Sequence, residues 1–264
     1  MSDGDEMSWR QATDLSGKTA IVTGCASGIG RATARQFALA GARVYGGDIN
    51  AAGGADTIAQ IRASGGQGAF IALDLTDHAS IDRFVDAVAE QTHGAIDIIA
   101  SVAGWDRAEP FLDNTPEFWD QVIAINYLGP VRMIQRFLPL MIQRGAGGKI
   151  ITVASDAGRV GSLGETFYSG SKGAIIAFTK GLAREMARAQ IRCNCIAPGP
   201  TDTPLFHAGV SSPNLKEALI RAIPLKRLAQ PVEIAYAILF FASPASDYVT
   251  GQVLSISGGL TMHG

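Results

Sequence analysis

The 264-residue sequence has no apolar stretch long enough to cross a bilayer, and its opening, residues 1–10, is acidic and polar rather than basic and then apolar. Neither a membrane span nor a secretory signal is supported, so a cytoplasmic protein is expected. There is no lysine/arginine block and the formal charge is −2, which argues against an electrostatic footprint for nucleic acid or an anionic membrane. Cysteine is scarce. Cys25, Cys193 and Cys195 offer neither an even disulfide framework nor a CxxC spacing, so all three are expected reduced. Cys193 and Cys195 are expected as buried side chains on opposite sides of one strand. Repeats and linkers are also missing, and only 17% of residues are charged. These absences leave a globular domain acting on small molecules.

What is present is apolar and periodic. With 47% hydrophobic residues, a chain of this length can close one large α/β core. After a polar tail over residues 1–15, short β-branched runs alternate with stretches of helical period across residues 16–264. Strands are expected at 19–23, 43–48, 68–74, 96–103, 149–154, 192–197 and 253–257. Helices are expected at 29–40, 80–92, 116–144, 167–189 and 231–242. A further helix over 51–62 carries Gly53 and Gly54, each costing about 1 kcal/mol against alanine, so it is expected to start late or fray. Continuous apolar strands suit a sheet covered on both faces. The fold class is therefore α/β: a single doubly wound domain of Rossmann type with a seven-stranded parallel sheet.

Directly after the first strand comes Thr23-Gly24-Cys25-Ala26-Ser27-Gly28-Ile29-Gly30. Its glycines permit positive φ, let an anion approach the backbone and open a helix whose N-terminal N–H groups face that anion. Many βα turns contain glycine merely to turn, and it is the position after the first strand that raises this one. Asp48 ends the second strand, where a dinucleotide fold places an acid on the adenosine ribose. A carboxylate there repels a 2′-phosphate and neither Ile49 nor Asn50 compensates, so NAD is expected over NADP; the alternative is a cap for the next helix. Asp74, followed by Leu75, suits either the adenine edge or a turn.

Tyr168-Ser169-Gly170-Ser171-Lys172 opens a long helix and puts the phenol and the ammonium on one face. A tyrosine near pKa 10 needs nearby positive charge to act as a base, a lowering of ~2–3 units that Lys172 and an oxidised nicotinamide could supply. Alone, the pair is an ordinary helix-surface contact. It gains meaning beside Ser155, after the fifth strand, and Asn126, inside the helix that follows the fourth.

From the glycine-rich turn to the last strand, the chain resembles the short-chain dehydrogenase/reductase family. The resemblance rests on residues 23–30, Asn126, Ser155, the Tyr168 and Lys172 pair, and Pro198-Gly199 followed by Thr201-Asp202-Thr203. It implies that Tyr168 takes the substrate hydroxyl proton, that Ser155 bonds the same oxygen, and that Lys172 lowers the tyrosine pKa and holds the nicotinamide ribose. Asn126 would anchor a water linking Lys172 to solvent. NAD would be held by Gly24, Ser27, Gly28, Ile29 and Gly30, by Asp48, Asp74 and Leu75, by Ala103 and Gly104, by Tyr168 and Lys172, and by Pro198, Gly199, Thr201 and Thr203; no metal is required. One departure is Ser101-Val102-Ala103-Gly104, where the family usually has Asn-Asn-Ala-Gly. Ser101 is expected to bond a neighbouring backbone group instead.

Strings at 103–106, 155–161, 198–203 and 251–262 narrow the resemblance to dehydrogenases of ring secondary alcohols, including the 2-hydroxycyclohexanecarboxyl-CoA type. The expected pocket wall is Trp105, Asp156, Val160, Leu163, Phe167, Leu205 and Phe206, mostly apolar. A CoA thioester would also want cations, for which Arg107, Arg159, Lys216 and Arg221 are candidates; a free cyclic alcohol such as a borneol-like monoterpenol would not. Residues 203–224 suit a substrate lid or a static excursion, and His207 within them is expected to be solvated and without a role. Surplus apolar positions on 116–144 and 167–189 suggest subunit contacts, in this family commonly a homotetramer. Two other readings are a nucleotide-binding regulator that lost the chemistry and a ketone reductase working with NADPH.

Overall fold

A computed structural model describes residues 8–210 and 212–262. Residues 1–7 of the expected tail lie outside that range, and its remainder contains one helical turn, α1 (Trp9–Ala12), capped by Ser8. The seven strands are β1 (Thr19–Thr23), β2 (Arg43–Asp48), β3 (Gln67–Ala72), β4 (Ile98–Ser101), β5 (Gly148–Val153), β6 (Ile191–Pro198) and β7 (Val253–Ile256). They form one all-parallel sheet in the order β3-β2-β1-β4-β5-β6-β7. The direction of winding reverses between β1 and β4, and the crevice outside the carboxyl ends of the strands opens there.

Period-2 alternation fills two layers. Ala20, Val22, Val44, Ile98 and Ala100 face α2 (Gly28–Leu39), α3 (Ala51–Ala63) and α11 (Pro231–Ala242), where Phe37, Ile58 and Phe241 meet them. Ile21, Tyr45, Ile99 and Ile150 face α4 (His78–Thr92), α6 (Gly129–Arg144) and α8 (Thr166–Met186), where Phe84, Phe137 and Leu182 close the other core. Cys193 and Cys195 are both fully buried on this second side, Cys193 against Leu182 and Cys195 against Ile175 of α8. Residues two apart on a strand share a face, which corrects the expectation of opposite sides.

Three further expectations change. The β4 ladder stops at Ser101 because Thr23 Oγ1 accepts the N–H groups of Val102 and Ala103 at 3.0 and 3.1 Å. Thr23, rather than Ser101, therefore supports the segment where the usual amides are replaced. The helix expected over 116–144 is α5 (Pro116–Ile123) and α6, joined by a single π turn at Ala124–Leu128. Gly129 makes this possible, since a Cβ there would lie 2.5 Å from the Leu75 carbonyl oxygen. Finally, α3 neither starts late nor frays: Asn50 caps it by accepting the Gly53 N–H at 3.0 Å. One turn of helix, α7 (Ala157–Val160), follows β5, and residues 203–224 hold two short helices, α9 (Pro204–Gly209) and α10 (Pro213–Ala222). Among the described residues, no helix is long and apolar enough to cross a membrane.

Candidate active site

The glycine-rich turn links β1 to α2. Gly24 and Gly28 adopt φ of +71° and +50°, and Gly30 is required by packing, since its Cβ would lie 2.0 Å from the Gly24 carbonyl oxygen. Ser27 is the N-cap residue, yet its side chain makes no capping bond, so it leaves the first-turn N–H groups to an outside acceptor. Ile29 packs against the first core layer. Thr203, which caps α9, sits where a Cβ on Gly28 would meet it at 3.1 Å, so the 198–203 segment borders the phosphate turn. Gly199 lies against Ser257, and Thr201 donates to the Gly199 carbonyl at 2.9 Å. Uncapped N–H groups, left-handed glycines and this bordering segment make a cradle fitted to a dinucleotide.

Asp48 holds that cradle from below. Its Oδ2 accepts the Ala26 N–H at 2.9 Å and its Oδ1 the Asn50 N–H at 2.8 Å. The cap of α3 is Asn50, so Asp48 is no helix cap. The neighbouring cation, Arg31, is engaged by the Ala26 carbonyl at 2.6 Å and by Asp56 at 3.5 Å. Asp74 forms a turn, with Oδ1 accepting the Thr76 N–H and hydroxyl at 2.8 and 2.7 Å, while Leu75 is buried.

Tyr168 and Lys172 project from the first turns of α8. The Lys172 ammonium lies 5.6 Å from the Tyr168 ring centroid and donates to the Val153 carbonyl at 3.1 Å. Ser155, just beyond β5, accepts the Ala157 N–H at 3.2 Å, and it is the neighbour that lowers the pKa of the Tyr168 phenol. Asn126, 1% exposed in the π turn, clasps Trp105 from both sides: Oδ1 accepts its N–H at 3.0 Å and Nδ2 donates to its carbonyl at 2.7 Å. Gly104 sits between them, where a Cβ would meet Lys172 Nζ at 3.0 Å and Asn126 Oδ1 at 3.1 Å. Lys172 and Asn126 thus meet at Gly104, with the Tyr168 ring beside Lys172.

Burial dominates the titration of this group. It pushes Lys172 down to about 8, while the charges of Cys195 and Asp106 pull it back up. Burial also pushes the Tyr168 phenol well above its ordinary value; Glu165 adds to this, the Ser155 hydrogen bond opposes it, and Asp106 raises it further. The sequence expectation of a phenol lowered by Lys172 is therefore corrected for the protein's own groups. Desolvating the phenolate outweighs an amine whose own charge is held weakly.

The wall is aromatic. Trp105 tilts over Phe118 at 5.8 Å, and Phe111, Trp119 and Phe167 form a stack with centroids 6.1 and 5.7 Å apart. Trp105 and Phe167, both expected in the wall, take part in these contacts, together with Phe111, Phe118 and Trp119, which the sequence reading did not single out. Leu163 is fully exposed and Val160 and Leu205 are exposed, while Phe206 packs edge-on against His207. Asp156 departs from the expected wall: it is buried, and Oδ1 accepts the Ser255 hydroxyl of β7, to which Arg159 also donates at 2.9 Å. Arg107 pairs with Glu109 at 2.9 Å and Arg221 with Glu217 at 2.8 Å, so of the four candidate rim cations the Lys216 side chain alone has no ion pair or hydrogen bond among the described residues. His207, expected to be solvated, bonds Asp202 at 2.7 Å and lowers that carboxyl's pKa.

A family model described as "Enoyl-(Acyl carrier protein) reductase" matches residues 24–261. The chain is 38% identical over 248 residues to 3-oxoacyl-[acyl-carrier-protein] reductase FabG of Thermotoga maritima, covering 94% of this chain and 99% of that protein. It is 36% identical over 248 residues to 2,5-dichloro-2,5-cyclohexadiene-1,4-diol dehydrogenase LinX of Sphingobium indicum, covering 94% and 98%. A solved 7 alpha-hydroxysteroid dehydrogenase, complexed with NADH and 7-oxo glycochenodeoxycholic acid, superposes with a TM-score of 0.91 at 33% identity, covering 96% of this chain and 98% of that one.

Proposed function

The chain belongs to the short-chain dehydrogenase/reductase family, and from that premise we propose that it oxidises an alicyclic secondary alcohol to the ketone with NAD. The observation that carries this reading is the Tyr168 ring 5.6 Å from the buried Lys172 ammonium, which the Val153 carbonyl fixes, next to the stacked Phe167 and Trp119 rings. A bound nicotinamide dinucleotide supplies the hydride acceptor. Tyr168 receives the carbinol proton, and Ser155 holds the oxygen that loses it. Lys172, fixed by the Val153 carbonyl, keeps its charge near the phenolate. Asn126 sets the Trp105 backbone, and Pro130, four residues on, has no N–H for the Asn126 carbonyl, which leaves that oxygen for a relaying water.

Asp48 supports NAD, because a 2′-phosphate beside its carboxylate would meet like charge, and Arg31 is already engaged. The aromatic stack and the exposed Val160 and Leu163 support an apolar ring as substrate, under a lid formed by 203–224. LinX and the hydroxysteroid dehydrogenase, named for ring alcohols, support the same class. The ion pairs of Arg107 and Arg221 and the bonds of Arg159 speak for a free alcohol over a CoA thioester. Exposed Leu128, Ile142, Tyr236 and Leu254 support assembly as a homotetramer. A screen of cyclic alcohols beside hydroxyacyl-CoA thioesters, with NAD and NADP in parallel and read by nicotinamide absorbance, is the test. Turnover of a free ring alcohol with NAD is expected; turnover confined to thioesters or to NADP overturns this reading.

A further inference from the structure

Asp106 enters neither the cradle nor the proton route, yet it lies two residues beyond Gly104, which packs against Lys172 and Asn126. Its Oδ2 is buried with no hydrogen-bond partner. The backbone that carries it is fixed on two sides: Trp105 is clasped by the Asn126 amide, and Gly104 lies against Lys172 Nζ. Its neighbour Arg107 makes no ion pair with it, because that guanidinium binds Glu109 and lies over the Phe118 ring at 5.1 Å. The charged groups that face Asp106 are Glu165 at the start of α8, Lys172 on α8, and Glu109 on its own segment, with the Arg107 backbone N–H as a hydrogen-bond donor. The Arg107 guanidinium also feels the Asp106 charge but is paired with Glu109, which leaves Lys172 as the cation of the set that has no carboxylate partner of its own among the described residues.

We propose that Asp106 is a positioning residue whose half-buried carboxylate, with one oxygen buried and unpartnered, acts through the Lys172 ammonium and the Tyr168 phenol to set the pH range in which that pair moves a proton. This rests on the alcohol-dehydrogenase reading given above. An ionised Asp106 partly compensates Lys172, so the ammonium keeps its proton to higher pH, and it repels a phenolate, so Tyr168 ionises less readily. Burial, and then Glu165, push the Asp106 carboxyl itself up to about 7. The charge that holds the pair at higher pH thus develops around neutrality.

The test compares the full-length chain with Asp106→Asn, which keeps the shape and removes the charge. The first readout is thermal unfolding against pH, without cofactor or substrate. The folded carboxyl binds its proton more tightly than the ordinary value of 3.8, so the wild type loses stability as pH rises from about 4 to about 7, and the variant does not. A Tm gap in favour of Asp106→Asn that opens across this window is expected. The second readout is the pH dependence of kcat/KM for alcohol oxidation, whose profile shifts as a whole to lower pH, by on the order of half a unit. A merely structural role would lower kcat and leave the profile where it was. Glu165→Gln is the second variant: it removes the other carboxylate that raises the Tyr168 phenol and shifts the profile in the same direction with Asp106 intact. Parallel Tm curves, or superimposed profiles, in a chain that oxidises alcohols overturn the role of Asp106 and leave the enzymatic reading standing. No turnover of any alcohol by the wild type overturns both.

Discussion

Lys172 is 3% exposed and carries a charge that the fold would be more stable without. Its folded pKa, about 8, lies below the ordinary 10.5, so between those values the folded chain binds fewer protons than the unfolded one. Stability attributable to this group therefore rises with pH from about 8 to about 10.5, and below about 8 the full penalty remains. Lys172→Met is expected to raise Tm at pH 7, to lose that advantage as pH approaches 10.5, and to abolish alcohol oxidation. Thermal melts across pH check this. A lower Tm at pH 7 would mean that the bond to Val153 and the attraction of Asp106 outweigh desolvation. At this scale spacing displayed the Tyr168 and Lys172 pair, and Asn126 and Ser155 stood out through the family resemblance. It could not display the direction in which Tyr168 and Lys172 are shifted, because burial decides that and burial belongs to the assembled crevice.

Helix α3 shows how a penalty at one level serves another. Gly53 and Gly54 weaken the helix by about 1 kcal/mol each, yet it begins at Ala51. A Cβ on Gly54 would lie 2.1 Å from the Phe70 ring, and one on Gly53 2.9 Å from the Ala26 side chain. These glycines let α3 lie close against β3 and the phosphate turn. Gly54→Ala should therefore destabilise the chain by roughly 1–3 kcal/mol through overpacking, despite its better helix propensity. Denaturant unfolding measures this, and a stabilised variant would contradict it. Strands β1 and β2 and helix α11 were legible to the residue, since their apolar runs end where their hydrogen-bond ladders end. The ends of β3 and β4 were not, because side chains end them: Ser80 accepts the Asp74 N–H, and Thr23 those of Val102 and Ala103. The π turn around Asn126 was hidden inside a correct helical period, with Gly129 and Pro130 as its only sequence trace.

Across the whole molecule, the doubly wound sheet brings distant segments to one crevice: the turn after β1, the Gly104 segment after β4, Ser155 after β5 and Thr203 after β6. Alternating strands and helices made this topology readable from sequence, and the topology in turn located the site. The aromatic wall was less readable, because Phe111, Trp119 and Phe167 are neighbours only after α5 and α8 have packed. The central claim is that the phenol moves the proton while the rest of the crevice binds. Tyr168→Phe tests it most directly, with NAD affinity measured by fluorescence titration and alcohol oxidation measured on the same preparation. The expected result is NAD binding close to wild type with turnover reduced at least ~10²–10⁴-fold, the range of a positioned acid–base group. Turnover equal to wild type with the phenol removed would contradict the account.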